Sequence, residues 1–174
     1  METSPERLFF EYAFTALASC ANVSDEKISE LEKLLVSGEN PTKEELEGMF
    51  PCAFGRIDRM DGDNEWSYET VKKYWWEEHN RIIDAGEDGY GDVPHDLSEP
   101  CKVSFVEVVE LEKGKIIYYG KTGEDKKAST YFKDLEVGDF VTIHLGRVVE
   151  KISEKDFKEY SKKWNMYYVL EIRT

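Results

Sequence analysis

Cysteine is scarce in this chain. The three present (Cys20, Cys52, Cys101) are odd in number and form no Cys-x-x-Cys pair, so no disulfide framework is implied and the spacing gives no support for a zinc site. Long apolar runs are missing too. Nothing approaches the roughly 18 uninterrupted apolar residues that a membrane span needs, so no membrane is expected as a partner. The first residues, Met1-Glu2-Thr3-Ser4-Pro5-Glu6, lack the basic-then-apolar order of a signal peptide. A reducing, cytoplasmic setting is the expectation. The sequence also lacks a phosphate-cradling Gly-x-x-x-x-Gly-Lys-Ser/Thr, a Gly-x-Ser-x-Gly elbow, a His-Glu-x-x-His and a dinucleotide fingerprint. With no common catalytic motif, the chain is not expected to be an enzyme.

Basic residues are thin in the first half. Residues 1–100 carry 24 acidic against 9 basic side chains, and residues 101–174 carry 13 against 14. That asymmetry suggests two units with different jobs. An acidic surface repels a phosphate backbone, so nucleic acid is unlikely as the main partner. What the chain does hold is enough apolar matter for a real core. Its 174 residues are 40% hydrophobic, and a chain of this size buries roughly 70% of its unfolded surface without staples.

Periodicity divides the chain. From Pro5 onward Leu8, Phe9, Tyr12, Ala13, Ala16 and Leu17 recur at helical spacing on one face. Ser24 is placed to cap a second helix ended by Gly38, and Thr42 with Glu45 has capping-box spacing for a third, closed by Pro51. A longer helix is expected from about Tyr68 to Ile83. Residues 1–90 therefore read as an acidic helical domain, and the Gly- and Pro-rich residues 91–100 as a linker. In residues 101–174 the period changes to two. Candidate strands are Lys102 to Leu111, Lys115 to Tyr119, Lys127 to Phe132, Phe140 to Leu145 and Arg147 to Ile152, with turns at Gly114, Gly120, Gly123 and Gly138. Ser153 then caps a helix from Glu154 to Lys163, and the tail from Met166 to Ile172 is β-rich enough to add an edge strand. The expected fold class is α+β, a helical N-terminal domain followed by a small OB-like β-barrel with a short C-terminal helix.

Two constellations draw attention. Cys101 at the mouth of one strand and His144 at the end of another pair a thiolate with an imidazole, both ligands for a transition metal such as iron. Trp75 and Trp76 adjoin on the Tyr68–Ile83 segment. Aromatic stripes at helical spacing are usually core, but two adjacent tryptophans are not expected to face the same core, so one is a candidate partner contact. Cys20 and Cys52 read as structural. The run Asp58, Asp61, Gly62, Asp63, Glu65 matches a calcium loop only weakly.

The run from Cys101 to Tyr160 resembles the HypC/HupF family of [NiFe] hydrogenase maturation chaperones. Cys101 matches the family's opening cysteine, and Val108-Val109-Glu110 the end of its first strand. Val137-Gly138-Asp139-Phe140-Val141, with His144 and Gly146, matches its second signature, and Val148 to Glu154 the exit into a helix. The resemblance implies an iron chaperone. Its partners would be a HypD-like scaffold and the hydrogenase large-subunit precursor, and its cargo a transient Fe(CN)2CO unit. Cys101 would carry iron and the partner contact, with His144 as companion ligand. The alternative reading is an OB-fold interaction module that binds protein or nucleic acid without metal. Its surface would use Lys102, Lys113, Lys115, Lys121, Lys126 and Lys127 with Tyr118, Tyr119 and Tyr131.

Overall fold

The computed structural model describes residues 3–20, 24–60, 66–94 and 98–166, without the side chains of residues 18–20. The expected edge strand in the tail and most of the calcium-like run lie outside these residues. The fold is α+β, with helices first and a six-stranded sheet after them. The chain divides into two compact units, Met1–Lys102 and Val103–Thr174. Cys101 and Lys102, read from the sequence as the start of the β-domain, thus fall in the helical unit.

The helical unit comprises α1 (Pro5–Cys20), α2 (Asp25–Ser37), α3 (Lys43–Met49), α4 (Pro51–Arg59), α5 (Tyr68–Lys73) and α6 (His79–Ala85). The cap residues do what their chemistry predicts. Ser24 accepts from the Lys27 N–H, Gly38 ends α2 at φ 79°, and Thr42 and Glu45 form a complete capping box. The core is aromatic. Phe9 of α1 meets Phe54, Trp66, Phe50 and Trp75 with ring centroids 4.8 to 6.0 Å apart. Arg7, two residues earlier, bonds Glu11 at 2.6 Å and donates to the Leu35 carbonyl at 2.8 Å, tying α1 to the open end of α2.

The expected single helix from Tyr68 to Ile83 is interrupted. Tyr74–Glu78 is a π-turn, joining α5 to α6. An extra residue in one turn widens the arc of side chains facing inward. Tyr74, Trp75 and Trp76 are all at most 2% exposed. The expectation that adjacent tryptophans cannot share a core therefore fails, because it assumed regular α-helical spacing.

The chain leading into the segment read as a linker is folded onto these helices: Arg56 of α4 bonds Asp88 at 2.8 Å and lies over the Tyr90 ring. Gly91 donates to the Gly86 carbonyl at 2.9 Å, and a Cβ on Gly91 would sit 2.9 Å from that same oxygen. Only glycine permits that approach.

In the second unit, β1 (Ser104–Glu107), β2 (Glu110–Glu112), β3 (Lys115–Tyr119), β4 (Asp125–Ser129), β5 (Phe140–His144) and β6 (Arg147–Ile152) form a sheet in the order β1-β5-β6-β4-β3-β2. All neighbours run antiparallel except β4 and β6, which pair parallel at Ser129 and Arg147. The expected first strand is thus broken at Val108-Val109 into β1 and β2. Val106, Val108, Ile116, Ala128, Leu135, Val141, Ile143 and Val148 form the core. A register shift between β5 and β6 pairs Thr142 with Glu150 but Ile143 with Val148. The extra residue, Val149, is buried beside Val148, as a bulge allows for consecutive side chains. The last helix, α7 (Glu154–Lys163), covers the other face of β1 and β5. Phe157 stacks on Phe140 at 4.5 Å and Tyr160 on Phe105 at 5.3 Å.

Candidate functional site

Cys101 closes a short 3-10 turn, Glu99–Cys101, and its side chain is partly exposed. Local contacts fix its backbone. Pro100 restrains the turn, and the Cys101 carbonyl lies 2.9 Å from His79 Nε2. Since a carbonyl only accepts, that ring nitrogen carries the proton. The next residue, Lys102, is buried, with its ammonium bonded to Glu99 at 2.7 Å and also to Asp84 of α6. Burial pulls the Lys102 pKa down, but the two carboxylates outweigh it and the pKa lies above its ordinary value. The thiol therefore stands on a backbone held from both sides by α6.

His144 is the last residue of β5 and is 1% exposed. Along β5, Val141 and Ile143 point into the β-core, whereas Phe140, Thr142 and His144 occupy the opposite face by strand alternation. Among the described residues, no group of three or more His, Cys, Asp or Glu side chains is arranged to hold a metal ion. The two proposed ligands belong to different units of the chain.

Trp75 and Trp76, the candidate partner contacts, lie within the helical core. Trp75 stacks on Tyr12 at 5.3 Å, and Trp76 donates its Nε1 hydrogen to the Tyr12 hydroxyl at 2.8 Å. The Lys72 ammonium lies 4.0 Å from the Trp76 ring centroid. These contacts account for both rings as packing. Cys52, read as structural, is exposed on α4.

The motif segments of the β-unit are bonded to one another. Glu136 to Asp139 form a turn in which Asp139 N–H donates to the Glu136 carbonyl and Gly138 has φ 93°. Val108 at the strand break donates to the Asp139 carbonyl and accepts from the Gly138 N–H, both at 2.8 Å. The Asp139 carboxylate accepts from the Glu136 N–H at 2.8 Å and pairs with Lys151 of β6 at 2.7 Å. Burial pushes its pKa up, but the Lys151 ammonium and the Glu136 N–H prevail and hold it below the ordinary carboxylate value.

The lysine surface imagined for a phosphate backbone is partly spent on carboxylates. Lys126 pairs with Glu124 at 3.1 Å and Lys127 with Glu112 at 2.7 Å, while Lys102 is the buried residue of the helical unit. Tyr131 is exposed but holds Arg147, which donates to its hydroxyl at 2.6 Å.

Sequence reasoning missed an apolar cleft of about 210 Å³ in the β-unit, lined by Phe105, Val109, Tyr119, Phe140, Phe157 and Met166 among others. A signal was present. Phe105 and Phe140 occupy strand positions out of phase with the core residues Val106 and Val141, which calls for a second apolar layer.

Among the described residues no helix is long and apolar enough to cross a membrane. Compared with protein-family models and with curated proteins, the sequence finds no match in either.

Proposed function

We propose that this chain is a HypC-like accessory protein, a binding partner in hydrogenase maturation and not an enzyme, acting in the cytoplasm. One observation carries the reading. The separate segments that bear the resemblance, Val108-Val109-Glu110, Val137 to Val141 and the strand through Lys151, are joined by the Val108–turn hydrogen bonds and the Asp139–Lys151 pair. A motif scattered in sequence thus acts as one structural unit. The finer description of the β-unit as an OB-like barrel draws support from its topology. The outermost members of the strand order, β1 and β2, are one stretch of chain bent at Val108-Val109, and β4 pairs with β6 in parallel. That is the wiring by which a Greek-key barrel brings its edges together.

In this reading Cys101 is the contact residue, because it is partly exposed while its backbone is fixed. The partners are a HypD-like scaffold and the hydrogenase large-subunit precursor, and an Fe(CN)2CO unit is cargo. His144 is enclosed, so iron on this chain would rest on the Cys101 thiol, with its other ligands from the cargo or the partner. The same enclosure favours a second reading, an OB-like module that binds protein without metal. Anaerobic affinity purification from a hydrogenase-producing host, wild type beside Cys101→Ala, separates the two. Capture of a HypD-like scaffold or a large-subunit precursor by wild type alone is the expected result. Capture of the same partners by both forms favours the metal-free module. Capture of neither protein by wild type rejects the HypC-like role.

A further inference from the structure

We draw no further inference here: the strongest candidate, the apolar cleft of the β-unit between β1 and the last helix, carries nothing because nothing in the structure shows what covers it.

Discussion

At the scale of single residues, two charged side chains, Asp139 and Arg7, fix backbone. Asp139 bonds an N–H of its own turn and pairs with Lys151 across to β6. Because its pKa is depressed in the folded chain, its stabilisation is present above the ordinary value near 3.8 and is lost as pH falls through the lower folded value. Asp139→Asn should therefore melt at a lower temperature than wild type at pH 7, and the gap should close as the pH is taken below the ordinary carboxylate range. Melting curves from pH 7 to pH 2 test this, and a gap that persists at the acid end would reject the ionic account. Arg7 plays a comparable part in the helical unit, where it serves the last carbonyls of α2 from a neighbouring helix. Hydrogen bonds made by a charged group contribute more than neutral ones, so Arg7→Ala should cost about 1.5–3 kcal/mol in urea denaturation. Amide exchange at Gly38, whose N–H bonds Leu34, should speed up alongside. Loss of stability without that local change would place the effect elsewhere.

At the scale of elements, the π-turn decides how much aromatic surface the helical unit encloses. Trp76 contributes both a ring in the core and a donor to the Tyr12 hydroxyl. Trp76→Phe keeps most of the ring but removes the donor to that hydroxyl, an expected loss of about 1–3 kcal/mol. Trp76→Ala should cost about 3–5 kcal/mol, since a cavity is added. A loss close to zero in Trp76→Phe, measured by denaturant midpoints, would mean the hydrogen bond contributes nothing. The helices with explicit caps, α2 and α3, were legible because their start signals are local: Ser24, Thr42 with Glu45, and Gly38 act within a turn of themselves. The strand pattern was legible for the same reason, through alternation between glycine turns. The π-turn, the break at Val108-Val109 and the bulge at Val149 were not, because each is set by what packs or pairs across the fold. The candidate site follows that rule. Cys101 was placed with the β-domain because a strand follows it, yet its fixed position depends on His79, twenty-two residues away in sequence. His144 could be read as a strand residue, but its enclosure could not be read from alternation alone.

At the scale of the whole molecule, charge is what most constrains the choice of partner. With the division after Lys102, residues 1–102 hold 24 acidic and 10 basic side chains, and residues 103–174 hold 13 of each. A nucleic-acid module of this type would need a groove of uncompensated lysines beside stacking aromatics. The β-unit is instead neutral in sum, two of its candidate lysines are in ion pairs with glutamates, and Tyr118 is half-buried against the core. The strongly acidic first unit adds long-range repulsion, screened beyond about 8 Å at physiological salt but not abolished at contact. A fluorescently labelled single-stranded oligonucleotide titrated with the full chain at about 0.15 M salt should therefore show no saturation in the micromolar range, where non-specific binders begin to respond. Lowering the salt tenfold should not rescue binding, because it lengthens the reach of the repulsion as well as of any attraction. Micromolar saturation that weakens steeply with added salt, and weakens further in Lys127→Glu, would overturn this and return the basic-aromatic surface to first place. Absence of binding would instead favour the protein-partner reading, for which the neutral β-unit offers an exposed turn at Val137 and the helical unit a partly exposed Cys101.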